Sequence, residues 1–133
     1  KTDLEVLQPA IDYYQSHGTA TDKLRTYYYQ GRIYQNQQKH DELAMQCFVK
    51  AITEGATSDD ILTKARVLFT QGRIYSTIYE WDKCIATYLE AAEYFKHDDS
   101  YPPLTKSGII YYYIRKLTGC KYASAAVLPC CFI

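Results

Sequence analysis

Gln30-Gly31-Arg32-Ile33-Tyr34 and Gln71-Gly72-Arg73-Ile74-Tyr75 are the same pentapeptide, placed 41 residues apart in a chain of 133. Five identical residues in one order point to a duplicated unit rather than to chance. A fixed period in the range of about 20–50 residues is the sequence mark of a stacked repeat, in which each unit covers its neighbour's apolar face.

Aligning the copies on Gly31 and Gly72 predicts two helices per unit. In the first unit a helix A spans about residues 21–36, capped by Thr21 or Asp22, with Leu24, Tyr27, Tyr28, Gly31 and Tyr34 at helical spacing. The polar run 35–39 ends it. A helix B follows over about 41–54, with Leu43, Ala44, Cys47, Phe48 and Ala51 on one stripe and Gly55 as its cap. The second unit repeats the order. Ser58 or Asp59 caps a helix A carrying Ile61, Ala65, Leu68, Phe69, Gly72 and Tyr75. A short turn at 78–80 leads to a helix B over about 80–96, with Trp81, Cys84, Tyr88, Ala91 and Phe95.

Outward from these two units the pattern weakens. Residues 97–103, with Pro102 and Pro103, read as a loop, because paired prolines cannot continue a helix. A third helix A is expected over 104–117, where Ile114-Arg115-Lys116-Leu117 is a degraded copy of the motif. A third helix B over 122–128 is interrupted by Pro129. Upstream, 4–17 reads as helix B of a preceding unit capped by Gly18, and Pro9 places the effective start of that helix near Pro9. The expected organisation is one all-α domain, 1–133, of roughly six helices in antiparallel pairs. Residues 1–18 form a leading helix B, 19–57 the first repeat, 58–99 the second and 100–133 a partial third. Half-units at both ends are what excision from a longer array would leave.

These residues resemble the tetratricopeptide repeat. The second copy offers Leu68, Gly72, Tyr75, Trp81, Cys84, Tyr88 and Ala91 at that family's spacing. The first offers Tyr27, Gly31, Tyr34, Ala44, Phe48 and Ala51 with one extra residue in the turn. The period exceeds the family's usual length of about 34. Longer units of this sort look like the tetratricopeptide arrays of bacterial regulators and sensors, and the tyrosine-rich motif is similar to multi-repeat proteins of gut Bacteroidetes. The resemblance implies an α-solenoid whose A helices line a concave surface that holds a protein or peptide.

Counting from the glycines, the inward positions of that groove are Arg25, Tyr28, Arg32 and Asn36 in the first helix A. In the second they are Arg66, Phe69, Arg73 and Thr77, and in the third Tyr111 and Arg115. Arginines interleaved with aromatic rings suit an acidic peptide or a chain-terminal carboxylate, because a guanidinium pairs with a carboxylate through two parallel hydrogen bonds. The competing expectation is that these arginines pair with acids of adjacent helices. Of the tyrosine runs 27–29 and 111–113, Tyr27 is expected in the core, Tyr28 in the groove and Tyr29 against a neighbouring helix.

The remaining features bound the function. Lysine plus arginine and aspartate plus glutamate number 15 each, so no net field draws this segment to nucleic acid. No apolar run has the length of a membrane span. His17, His40 and His97 share no ligand spacing with Cys, Asp or Glu, and no phosphate loop or nucleophile motif is present. A cofactor-free, non-enzymatic role is therefore expected. Cys47, Cys84, Cys120, Cys130 and Cys131 form no Cys-x-x-Cys pair. Cys84 stands where the repeat wants a small apolar residue, so a buried reduced thiol is expected, which favours the cytoplasm slightly over the cell envelope. The final Cys-Cys-Phe-Ile has the form of a prenylation box but lacks a polybasic lead-in. Two further functions stand beside peptide binding: the sensor half of a transcription regulator, and self-assembly through the end helices 4–17 and 104–128.

Overall fold

Helical periodicity governs every element of the computed structural model, which describes residues 3–37 and 39–96, with side chains to residue 94. Five helices occur in these residues: α1 (Asp3–His17), α2 (Ala20–Asn36), α3 (Asp41–Glu54), α4 (Ile61–Thr77) and α5 (Trp81–Lys96). No strand occurs among the described residues. The chain divides into two compact units, Lys1–Val67 and Leu68–Ile133, with the division inside α4. The expected third helix pair lies outside the described residues.

In the first unit α2 and α3 form a helical hairpin. Leu24, Ala44, Phe48 and Ala51 are completely buried, and Tyr27 nearly so. Each large apolar side chain removed from water in this way contributes about 1.5–3 kcal/mol. Gly31 permits the contact: a Cβ at that position would sit 2.5 Å from Phe48 Cε1 and 2.8 Å from Cδ1, so the ring lies directly against the α2 backbone. Gly55 closes α3 through its N–H to Ala51 O at 2.9 Å. Two contacts tie α2 to the start of α4. The Thr21 and Ser58 hydroxyls are 2.6 Å apart, and Arg25 pairs with Asp60.

Two caps and one helix start differ from the expectation. Thr19, not Thr21 or Asp22, caps α2. Its hydroxyl accepts from Asp22 N while its own N–H donates to the Asp22 carboxylate, a reciprocal capping box. Asp60, not Ser58 or Asp59, caps α4, accepting from Thr63 N at 3.1 Å and from the Thr63 hydroxyl at 2.7 Å. In both cases an acid or hydroxyl three residues before its partner satisfies an orphan N–H of the first turn. Helix α1 begins at Asp3 and runs through Pro9, which forfeits the N–H that would reach the Glu5 carbonyl. Only Ile11 of α1 is buried.

In the second unit Cys84, Tyr88 and Ala92 form a buried cluster, packed by Phe69, Tyr75 and Ile85. Gly72 repeats the role of Gly31. A Cβ there would lie 2.5 Å from Tyr88 Cδ1 and 3.2 Å from Cζ. The two inter-helix turns share a backbone as well. Lys39 and Tyr79 each stand two residues before a helix B and adopt left-handed conformations, with φ of 51° and 61°. The residue after each donates its N–H to the last tyrosine of the repeated motif, His40 to Tyr34 O at 2.9 Å and Glu80 to Tyr75 O at 3.0 Å. This wraps the orphan carbonyls of the helix end in the manner of a Schellman turn, and the first turn carries the extra residue that the sequence alignment requires.

Candidate functional site

The first unit opens between α1 and α2. The apolar positions of α1 recur at i, i+3, i+4 and i+7, yet Val6 is 61% and Leu7 39% exposed. Helix α2 faces them with Tyr29, itself 57% exposed, and with half-buried Ile33. The result is a cleft of two adjoining lobes that share Leu7 and Tyr29. The lobe of about 370 Å³ is lined by Asp3, Val6, Arg32 and Asn36. The other, of about 460 Å³, is lined by Ile11, Tyr14, Arg25 and Gln30.

Three of the expected groove residues, Arg25, Arg32 and Asn36, therefore border this cleft, Arg32 and Asn36 in one lobe and Arg25 in the other. Their states differ. Arg25 is committed: its Nε donates to Asp60 Oδ2 at 2.7 Å. That hydrogen bond, with the charge of Asp60, pushes the guanidinium pKa up. Burial works to raise the Asp60 carboxyl, but hydrogen bonds from Thr63 and Arg25 outweigh it and hold the group below the usual carboxylate range. Pairing with the acid of an adjacent helix is thus the fate of Arg25. Arg32 has no acidic partner among the described residues. Its Nη1 reaches only the Tyr28 hydroxyl, at 3.4 Å, and its buried Nε has no hydrogen-bond partner. Asp3, the acid at this end of the cleft, is engaged by the Gln37 side-chain amide.

Tyr28, expected in the groove, is instead only 8% exposed, with its ring 6.1 Å from that of Phe48 and its hydroxyl turned to Arg32. Tyr27 takes the expected core position. Burial, then the hydrogen bond to Glu54, pushes its hydroxyl pKa up to about 12. Tyr29 faces α1 across the cleft. Arg66 and Arg73 are exposed. Phe69 is packed on Tyr88, with ring centroids 5.3 Å apart, and the Thr77 hydroxyl donates to Ile74 O at 2.7 Å. Phe69 and Thr77 thus serve their own unit's packing and helix end. Tyr111 and Arg115 lie outside the described residues.

All the repeat positions named from the motif fall in packed places. Gly31, Ala44, Phe48, Ala51, Gly72, Cys84, Tyr88 and Ala91 are buried, and Tyr34, Tyr75 and Trp81 half-buried. Cys47 and Cys84 are free, buried thiols whose pKa values burial pushes up to about 11. Sequence reasoning missed the α1 wall of the cleft because it assigned Val6, Leu7 and Tyr14 to an end helix. Their spacing, on a helix too apolar for an isolated surface, was the available signal. No described helix is long and apolar enough to cross a membrane.

No protein-family model matches this chain, no curated protein matches its sequence, and no solved structure matches it.

Proposed function

We propose that this chain is a non-enzymatic protein-interaction module, built of helical hairpins stacked as in the tetratricopeptide solenoids that its repeat resembles. Its α1–α2 cleft holds an acidic, apolar peptide of a partner protein. Support for the hairpin unit comes from the Gly31–Phe48 and Gly72–Tyr88 approaches and from the matched turns at Lys39 and Tyr79. Thr21 to Ser58 and Arg25 to Asp60 tie α2 to the start of α4 within the first unit.

One observation carries the functional reading. Exposed Val6, Leu7 and Tyr29 border Arg32, whose guanidinium meets no acid among the described residues and whose buried Nε has no hydrogen-bond partner. A buried N–H without a partner is costly, and a ligand carboxylate placed there would satisfy it while the apolar rim covers adjacent side chains. Anisotropy of a dye-labelled Leu-Glu repeat peptide tests this. Arg32→Glu should weaken binding by at least about tenfold, since a charge-assisted hydrogen bond is lost and a like charge added. The same peptide with Gln for Glu should bind the parent protein comparably weakly. Equal binding by Arg32→Glu, with helicity intact, removes the cleft as the site. Exposed Tyr13 and Tyr14 on α1 also favour a second reading, self-association through that helix. Sedimentation over a concentration series separates the two, because peptide capture needs no dimer.

A further inference from the structure

The second unit carries an apolar corner that stays largely exposed. In the α4–α5 turn Ile78 is 57% and Tyr79 76% exposed, and half-buried Trp81 follows. Scattered exposed hydrophobics are ordinary, but an isoleucine, a tyrosine and a tryptophan within four residues have the composition of a binding hot spot. The conformation is also unusual. Tyr79 holds φ at 61°, a left-handed geometry that an aromatic residue takes at a cost and that Gly or Asn would take readily. The matched turn of the first unit places Lys39 there, followed by His40, whose ring nitrogen caps α3. The same backbone can therefore be built from polar residues, so folding does not explain the aromatic choice.

The chemistry around the rings indicates the occupant. Tyr79 and Trp81 meet edge to face, with centroids 5.8 Å apart, and the Tyr79 ring stays 76% exposed. Glu80 lies between them in sequence. It is exposed, and its carboxylate makes no hydrogen bond or ion pair among the described residues, although it occupies a cap position where Ser or Asp would bond the helix. Asp82 adds a second acid in the first turn of α5. The nearest cation in sequence, Lys83, lies over the Tyr75 ring at 5.9 Å.

We infer that the Tyr79–Trp81 corner is a docking site for an arginine side chain of a partner peptide. The guanidinium would stack on a ring while Glu80 takes its N–H groups. Arginine suits this better than lysine because it is planar and less strongly hydrated. The site differs from the α1–α2 cleft in position and in the sign of the charge it receives.

Trp81 is the single tryptophan of the chain, so its emission reads the site directly. The full chain is titrated with an acetylated, amidated Gly-Arg repeat peptide and with its neutral citrulline counterpart. A saturable change with the arginine peptide is expected, and binding should weaken about fivefold or more with citrulline, the size of a lost cation–π contact with its ion pair. Tyr79→Asn keeps a residue that tolerates the left-handed turn, and Glu80→Gln keeps the shape. Each should weaken binding without lowering the thermal melt. Arg32→Glu should leave the response unchanged, which separates this site from the cleft. No response into the millimolar range, equal response to citrulline, or undiminished binding by both variants would overturn the assignment.

Discussion

Replacing Gly31 by alanine reverses the sign of an ordinary helix substitution, and the coordinates say why. At an open helical position, Gly→Ala stabilises by about 0.8–1 kcal/mol, because alanine loses less backbone entropy. Here the added methyl would stand 2.5 Å from Phe48 Cε1 and 3.0 Å from Cζ, well inside contact distance. The ring has nowhere to retreat. Phe48 is fully buried, as are Leu24, Ala44 and Ala51 of the same hairpin. Overpacking a tight core costs about 1–3 kcal/mol. The net expectation is a loss of about 1 kcal/mol, and Gly31→Leu should lose more. With a urea slope of about 1–3 kcal/mol per molar, the midpoint followed by circular dichroism should fall by roughly 0.3–1 M. The decisive control shortens the ring. On a Phe48→Leu background the clash is relieved, so Gly31→Ala should become neutral or stabilising, with a coupling on the order of 1–3 kcal/mol. A Gly31→Ala protein that is more stable than the parent would refute the close approach. So would an equal cost in both backgrounds. Gly72→Ala against Tyr88→Leu must behave alike if the two hairpins are copies of one design.

Lys39→Gly should stabilise by about 0.5–1 kcal/mol, since glycine removes the left-handed strain at φ 51° but adds freedom to the unfolded chain; a lower urea midpoint for this variant would contradict that geometry. Cys47 and Cys84, with pKa values raised by burial from 9.0 to about 11, should alkylate slowly in the folded protein at pH 9 and quickly in urea, as read by peptide mapping. A thiol whose folded pKa is raised stabilises the fold below its unfolded value. That contribution should therefore be present below pH 9 and be lost as pH rises from about 9 to about 11, and Cys84→Ala should flatten the loss.

Most of the helical frame was legible in the sequence, because it is written in periodicity and repetition. The span 41–54 of α3 and the small-residue and aromatic positions of both hairpins follow from aligning Gly31 with Gly72. The caps were harder to locate. Thr19 and Asp60 lie outside the apolar stripe, and several polar residues nearby could each accept a first-turn N–H, so choosing among them requires coordinates. The site was least legible. Arg25 and Arg32 hold comparable places in the pattern, yet one is neutralised by Asp60 and the other meets no acid among the described residues. Nothing in one-dimensional spacing distinguishes those outcomes, because the difference lies in which loop residue comes within about 3 Å. Tyr28 went to the core for a related reason. A residue one step from the helix seam can turn its ring inward and its hydroxyl outward, and the sequence does not say which end prevails.

Comparing the two hairpins separates what folding requires from what it leaves free. Positions that match do structural work in both: the glycine under a ring, the tyrosine carbonyl that accepts the turn N–H, the left-handed residue two before helix B. Where the copies differ, the same backbone tolerates either chemistry, and stability alone gives no reason for the choice. Lys39 and Tyr79 are the clearest pair. One is a charged residue at home in water, the other a large ring held 76% exposed beside Trp81. A ring kept in water forgoes its hydrophobic contribution, so its presence at a strained position calls for a gain realised outside the fold. By that reasoning the turn of the second hairpin is a more informative place for mutagenesis than the shared motif. Substitution in the motif should damage folding and binding together, whereas Tyr79→Asn should separate them.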